Sequence, residues 1–191
     1  MGKDIYDYVY VAKGIIEPQY IEWILDLSEE CEWIQHSWSS PEDGHNPQSR
    51  TDGSELQVAI ATEFSELDKL MREQVFKALD AYYNELKPRA WVSSITIPRF
   101  NKYSKNTDMR EHVDHINLFP DENGRSRGIP VMSVVAVLTD DYEGGDFIFN
   151  GEKKIELNAG DILMFPSSFP WAHKVTPVTN GTRISYVTWA F

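Results

Sequence analysis

Two histidines, an aspartate and an arginine carry the chemistry that this chain could perform. His112 and Asp114 are separated by one residue, His173 lies far downstream, and Arg183 follows ten residues after it. A strand sends every second side chain to the same face, so His112 and Asp114 on a strand or at its end can aim at one ion. His173 lies in an apolar, β-branched stretch, residues 172–176, which a folded sheet can bring alongside the first. Two imidazoles and a carboxylate on one face suit non-haem Fe(II), because the opposite positions stay open to a co-substrate and O₂. Hydrolytic zinc takes the same donors, and a lone histidine in an apolar stretch is often simply packed. Arg183 separates these readings, since its planar fork fits a carboxylate bidentately and so favours iron with a carboxylate co-substrate.

Those residues need elements to hold them. Over residues 17–31, Ile21, Ile24, Leu25 and Leu27 fall near helical spacing and Pro18 suits a first helical turn, which predicts a helix. From 62 to 87, Phe64, Leu67, Leu70, Met71, Val75, Leu79, Tyr82 and Leu86 recur at steps of three and four, predicting a longer helix that ends near Pro88. The period then changes. Residues 91–100, 109–116, 131–139, 146–150, 153–157, 161–165, 172–178 and 182–190 are short runs of Val, Ile, Thr and aromatics punctuated by Gly, Pro and Asn. Eight such strands predict a mainly β, α+β chain: a double-stranded β-helix, or cupin-like jelly roll, with two or more N-terminal helices packed outside it. We expect a single domain over 1–191, with 1–90 as helical support and 91–191 as the core. Two aperiodic polar stretches, 36–57 and 117–130, are candidate lids over the site.

Composition bounds the rest. The chain has 191 residues, 41% apolar and 25% charged, ordinary for a globular protein with a sizeable core. The net charge of -12 argues against nucleic acid as a partner. Basic residues nevertheless gather near the proposed metal strand: Arg99, Lys102, Lys105, Arg110, Arg125 and Arg127, with Lys174 and Arg183 in the second half of the site. A locally positive mouth would draw an anionic co-substrate. Cys31 is the single cysteine and no apolar leader or membrane-length run is present, so the expectation is a reducing cytoplasm and no membrane partner.

The chain also resembles a known family, the Fe(II)- and 2-oxoglutarate-dependent oxygenases, in its prolyl 4-hydroxylase-like branch. The resemblance is carried by Pro98-Arg99-Phe100-Asn101-Lys102-Tyr103, by the Gly144-Gly145 turn within Tyr142 to Phe147, by Ala159-Gly160-Asp161 with Phe165-Pro166-Ser167, and by His173-Lys174-Val175 with Gly181-Thr182-Arg183. It covers about residues 91–191, in family order and spacing. It implies that His112, Asp114 and His173 bind iron and that Arg183 holds the distal carboxylate of 2-oxoglutarate. Tyr103 would reach the end of 2-oxoglutarate nearer the metal, with Ser185 adding a hydroxyl and Trp189 walling the pocket.

Ser49-Arg50-Thr51-Asp52-Gly53 is similar to the Arg-Thr-Ser-x-Gly segment of prolyl 4-hydroxylases, which nominates Arg50, with Trp38 and Met109, for substrate contact. Met109 departs from the family, many of whose members carry a tyrosine there. No tyrosine lies in 133–138 either, so another group must share the carboxylate with Arg183. The resemblance implies hydroxylation of a C–H bond with release of succinate and CO₂, using Fe(II), 2-oxoglutarate, O₂ and ascorbate as reductant. Asp114 favours hydroxylation over halogenation, because related halogenases replace this carboxylate with a small residue. A prolyl residue in a peptide or protein is the expected substrate, and the same chemistry on a free amino acid or small metabolite is the alternative. A non-catalytic metal- or ligand-binding β-helix is the third reading. Nucleic-acid dealkylases of this superfamily usually carry a second arginine six residues after the first, where Trp189 stands here. Compact domains of this type are common in bacteria and their viruses.

Overall fold

In the computed structural model, residues 4–38, 47–88, 91–114 and 128–191 are described. Parts of both candidate lids, and with them Arg125 and Arg127, lie outside the described residues. In chain order the elements are β1 (Tyr10–Ala12), α1 (Pro18–Ser28), β2 (Ile34–Gln35), β3 (Gln57–Ile60), α2 (Glu66–Leu86), β4 (Arg99–Tyr103), β5 (Met109–His112), β6 (Met132–Val137), β7 (Glu143–Gly144), β8 (Phe147–Phe149), β9 (Lys153–Ile155), β10 (Ile162–Pro166), β11 (His173–Val175), β12 (Val178–Asn180) and β13 (Arg183–Ala190). A larger sheet runs β1-β10-β6-β13-β4-β3-β2, a smaller one β5-β11-β8-β9, and β12 pairs with β7. This is the jelly-roll architecture that the strand pattern predicts.

Alternation along three strands explains the layering. In β13, Ile184, Tyr186 and Ala190 face one core cluster, while Val187 and Trp189 face another. In β10, Ile162 and Met164 face the first cluster while Leu163 and Phe165 face the second. β4 splits in the same way, Phe100 into the first and Tyr103 into the second. The first cluster lies under the helices, with Ile24 of α1 and Met71, Val75 and Leu79 of α2. The second fills the space between the two sheets and contains the site. A strand buried on both faces needs apolar side chains at nearly every position, which is why β6 reads Met-Ser-Val-Val-Ala-Val.

The helices sit where their periodicity places them, with local corrections. Ser65 caps α2 by accepting from the Asp68 amide, and Lys87 in the left-handed region ends it before Pro88. Phe64, counted in the apolar stripe, instead precedes that cap at positive φ and is 72% exposed. Residues 91–98 carry only an isolated bridge, Ile95 to Ala190, and the strand proper begins at Arg99. The N-terminal half also holds more than helical support: β1, β2 and β3 extend the larger sheet at both of its edges. Among the described residues no helix is long and apolar enough to cross a membrane.

Candidate active site

β5 and β11 pair antiparallel in the smaller sheet, and their register makes His173 the direct cross-strand partner of His112. Asp114 lies two residues past His112, just beyond the strand end. Sheet pairing and the two-residue repeat together bring both imidazoles and the carboxylate to one point, with their donor atoms all within 4.8 Å of one another. His112 Nε2 lies 3.3 Å from Asp114 Oδ1, and His173 Nε2 lies 3.7 Å from Asp114 Oδ2. Each imidazole is turned by the same local device: Nδ1 bonds a backbone carbonyl two residues earlier, that of Arg110 at 2.8 Å and that of Trp171 at 3.0 Å. An Nδ1–H donated to a carbonyl leaves the Nε2 lone pair free for an ion, which is how outer groups orient metal-binding histidines.

The His173 side of the centre is dry, while the His112 side chain is 37% exposed toward the outer cleft. The His173 ring stacks on Phe147 at 5.1 Å and meets Phe149 and Phe165 edge-on. Burial in this cage pulls the His173 pKa below its usual value. His112 moves the other way: burial opposes its charge, but the hydrogen bond to Asp114 and the carboxylate's charge overcome that and raise it. Burial also works against the Asp114 carboxylate, yet the two imidazoles hold its pKa well below the usual carboxylate range. The centre is thus built to keep one anion and to attract positive charge.

The inner pocket is formed by facing residues of β4 and β13. Arg183 is the cross-strand partner of Tyr103, and Ser185 that of Asn101. The Arg183 guanidinium is buried, lies 5.1 Å over the Tyr103 ring, and donates from Nη1 to Ser185 Oγ at 2.9 Å. Its Nε has no partner, and no carboxylate pairs with it among the described residues. A buried guanidinium left in this state is costly unless an anion completes it.

Asn101 is the residue that sequence reasoning missed. Its Oδ1 is buried without a partner and its Nδ2 lies 3.5 Å from Tyr103 Oη. The signal was available, because Asn101 stands two residues from Tyr103 and so shares its face. β6 contributes the apolar Val135 to this wall, leaving Ser185, Asn101 and Tyr103 to supply polar atoms beside Arg183.

The Gly144-Gly145 turn has a steric reason to be glycine. Both residues have positive φ, and a Cβ on Gly144 would stand 2.3 Å from the Pro177 carbonyl oxygen. A Cβ on Gly145 would meet Arg183 Cδ and Tyr142 Cε2, each at 3.0 Å. The turn therefore lets the chain pass directly against the arginine stem.

Outside the metal donors opens a second cleft of about 580 Å³, bordered by Trp38, Arg50, Arg99, Met109, His112 and Trp189 among others. Trp38 is 38% exposed at its rim and stacks on His36. Met109 and Trp189 line both cavities. Arg50, nominated for substrate contact, borders this cleft with its guanidinium already engaged. It bonds Glu55 through Nε at 3.0 Å, pairs with Asp108, and donates from Nη2 to the Asp108 carbonyl at 2.8 Å. Its guanidinium is spent on tying the 36–57 stretch to the residue before β5.

Arg50→Met would leave the Glu55 side chain, 1% exposed, without its cation. The expected loss is about 3–5 kcal/mol of stability, read as a fall of roughly 10 °C in melting temperature.

The basic residues also divide. Arg99 and Arg183 face the cavities and Arg110 stands at the outer cleft, whereas Lys102 points to the other side of β4, over Trp33.

Comparison with known proteins agrees with this geometry. Residues 98–191 match the model of the 2OG-Fe(II) oxygenase superfamily. The PKHD-type hydroxylase YbiX of Escherichia coli O8 (strain IAI1) is 28% identical over 189 residues, covering 95% of this chain and 77% of the relative, and the Shigella flexneri protein of the same name matches equally. Among solved structures, a Trichoplax adhaerens prolyl hydroxylase, in complex with a hypoxia inducible factor peptide fragment, superposes with a TM-score of 0.67 at 16% identity, over 96% of this chain and 83% of that one. A Pseudomonas putida prolyl-4-hydroxylase gives 0.61 at 17% identity, over 96% and 91%. The viral collagen prolyl hydroxylase of Paramecium Bursaria Chlorella virus-1, as its 2OG complex, gives 0.62 at 12% identity, over 96% and 94%.

Residues 98–191 belong to the 2OG-Fe(II) oxygenase superfamily. The chain is a 2-oxoglutarate-dependent oxygenase, and its fold is that of the solved prolyl hydroxylases.

Proposed function

We propose that His112, Asp114 and His173 hold Fe(II), that Arg183 receives the distal carboxylate of 2-oxoglutarate, and that the enzyme hydroxylates a prolyl residue in a peptide or protein. The observation that carries the first two assignments is the buried Arg183 guanidinium, short of an anion and in the same pocket as a three-donor cluster. The donor chemistry fits the ion, since two neutral imidazoles and one carboxylate leave open positions for a chelating co-substrate and O₂. When bound, iron and 2-oxoglutarate supply the oxidising power that inserts one oxygen atom into a C–H bond while 2-oxoglutarate leaves as succinate and CO₂.

The protein's own residues do the rest. Arg183 and Ser185 fix one end of the co-substrate, with Asn101 and Tyr103 on the facing strand. The backbone carbonyls of Arg110 and Trp171 lock the imidazole tautomers. Phe147, Phe149 and Phe165 keep water away from His173, protecting a strong oxidant from side reactions. The outer cleft admits substrate past Trp38 and Met109, and a volume of about 580 Å³ is room for an extended chain of a few residues.

Prolyl hydroxylation is supported by the prolyl hydroxylases among the structural neighbours, one of them with a peptide bound. Ascorbate, as reductant, belongs to the same proposal, as does the cytoplasm as its location. One observation favours a second reading, a small carboxylate-bearing molecule as substrate: Arg99 faces the cavities with no carboxylate partner among the described residues.

The test is a library of proline-containing peptides and free amino acids incubated with enzyme, Fe(II), 2-oxoglutarate and ascorbate. The expected result is a peptide that gains the mass of one oxygen atom in step with succinate. Turnover of small molecules alone would select the second reading, and succinate formation that no compound in either set stimulates would overturn both.

A further inference from the structure

Arg99 is the second arginine of this site, and nothing in the metal and co-substrate assignments uses it. On β4 the residues Arg99, Asn101 and Tyr103 share one face, so Arg99 lines the inner pocket and also the outer cleft. Its guanidinium lies 5.2 Å over the Trp189 ring, and its Nε is buried without a hydrogen-bond partner. The charged groups around it are otherwise engaged. Glu55 is taken by Arg50 and His36, Asp108 by Arg50, and Asp114 by the two imidazoles. Glu111 and Arg110 also border the outer cleft, both exposed, and no ion pair joins either of them to Arg99 among the described residues. Burial depresses the Arg99 pKa from its ordinary value, as expected of a guanidinium stripped of water with no carboxylate against it.

Two arguments keep this arginine away from 2-oxoglutarate. Along the paired strands, Tyr103 stands opposite Arg183 and Arg99 opposite Val187. Four residues of strand separate the two arginines, about 13 Å of backbone. The four carbon–carbon bonds of a five-carbon diacid span at most about 6 Å. Charge gives the second argument. With a divalent ion, Asp114, Arg183 and a dianionic co-substrate in place, the charges of the inner pocket cancel, and Arg99 is left over.

We propose that Arg99, backed by Trp189, is a substrate-recognition residue that takes a carboxylate of the substrate, which it holds at the junction of the outer cleft and the metal centre. Two sources can supply that group: the α-carboxylate of a free or chain-terminal residue, or an acidic side chain beside the reacting residue in a peptide. The proposal rests on the assignment of the metal and co-substrate sites above.

The experiment uses the whole chain loaded with Zn(II) and saturating 2-oxoglutarate, which binds without turnover and occupies Arg183. The readout is the Arg99 Nε–Hε resonance in a ¹⁵N correlation spectrum, assigned by its absence in Arg99→Gln. One pair of compounds is N-acetyl-L-proline and N-acetyl-L-prolinamide. The other is the blocked dipeptide acetyl-Pro-Asp-amide and its acetyl-Pro-Asn-amide counterpart. At least one acid is expected to shift the Arg99 resonance saturably and to bind about tenfold or more tighter than its neutral twin, the advantage vanishing in Arg99→Gln. Which acid responds identifies the source.

Equal binding of acid and amide, no response to any of the four, or an acid preference that survives Arg99→Gln would overturn the proposal. So would a loss of 2-oxoglutarate affinity in Arg99→Gln, which would move the residue to the co-substrate. Failure of the wild-type protein to bind 2-oxoglutarate would instead count against the assignment of Arg183, and the acid and amide pairs on the Zn(II)-loaded protein would still report on Arg99.

Discussion

Asp114→Ala is expected to abolish turnover and the visible charge-transfer band that Fe(II) and 2-oxoglutarate give when mixed anaerobically with the wild-type protein. The carboxylate is the sole anion among the three donors, and the two imidazoles alone leave a divalent ion without charge compensation inside a cage of phenylalanines. Changes one shell further out typically cost 10–100-fold in metal affinity or activity, so the loss of a ligand should exceed about 100-fold. The fold should survive. Asp114 stands beyond the end of β5, and its polar contacts are with the two histidines and Ser133 rather than with the apolar clusters. Circular dichroism should therefore match wild type while equilibrium dialysis shows the metal lost. Wild-type iron binding and turnover in Asp114→Ala would remove the carboxylate from the metal site.

Arg183→Met has the second large effect, with opposite signs in the two states of the protein. In the cofactor-free enzyme the guanidinium is buried, bonded among the described residues to Ser185 alone and packed on Tyr103, so replacing it with an apolar side chain of similar length removes a desolvated charge. The free variant should melt no lower than wild type. For 2-oxoglutarate the loss should be about 2–5 kcal/mol, the usual cost of truncating one partner of a buried charge pair. That corresponds to roughly 30-fold or more in dissociation constant. Thermal melting reads both: 2-oxoglutarate with Mn(II) should raise the wild-type melting temperature and leave the variant unmoved. A variant that melts far below wild type in the free state, and still shifts with 2-oxoglutarate, would mean that Arg183 is a structural cation.

Much of this site was legible because its rules are local. The two-residue repeat of a strand is enough to place His112 with Asp114, and Arg183 with Ser185, and no knowledge of pairing is required. The same rule would have added Asn101 and Arg99 to the face of Tyr103. Arg99 enters the sequence reading only as one of the basic residues of the mouth, and Asn101 does not enter it as a site residue, because an asparagine in a short strand is equally at home in solvent. The helices were legible over many turns of consistent period, and they erred only at their ends, where Phe64 precedes the cap set by Ser65. β1, β2 and β3 were not legible, since each is two to four residues long and stands beside helices and polar stretches rather than in the series of apolar runs punctuated by turns that marks the later strands.

Arg50 shows the converse limit. Its motif pointed outward to substrate, but three acceptor groups, at Glu55 and Asp108, turn it inward. No spacing rule states which of several carboxylates a long flexible cation will reach once the chain has folded.

The sequence by itself determined the donor types, their grouping by alternate position, and the chemistry that two imidazoles, a carboxylate and a distant guanidinium can support. Only the tertiary structure decided that His173 lies directly across from His112, that Tyr103 lies across from Arg183, and that Arg99 stands where the two cavities meet with no carboxylate partner among the described residues. The physical reason is that side-chain alternation is imposed by the local backbone, whereas strand register depends on apolar burial and hydrogen bonding between segments far apart in the chain.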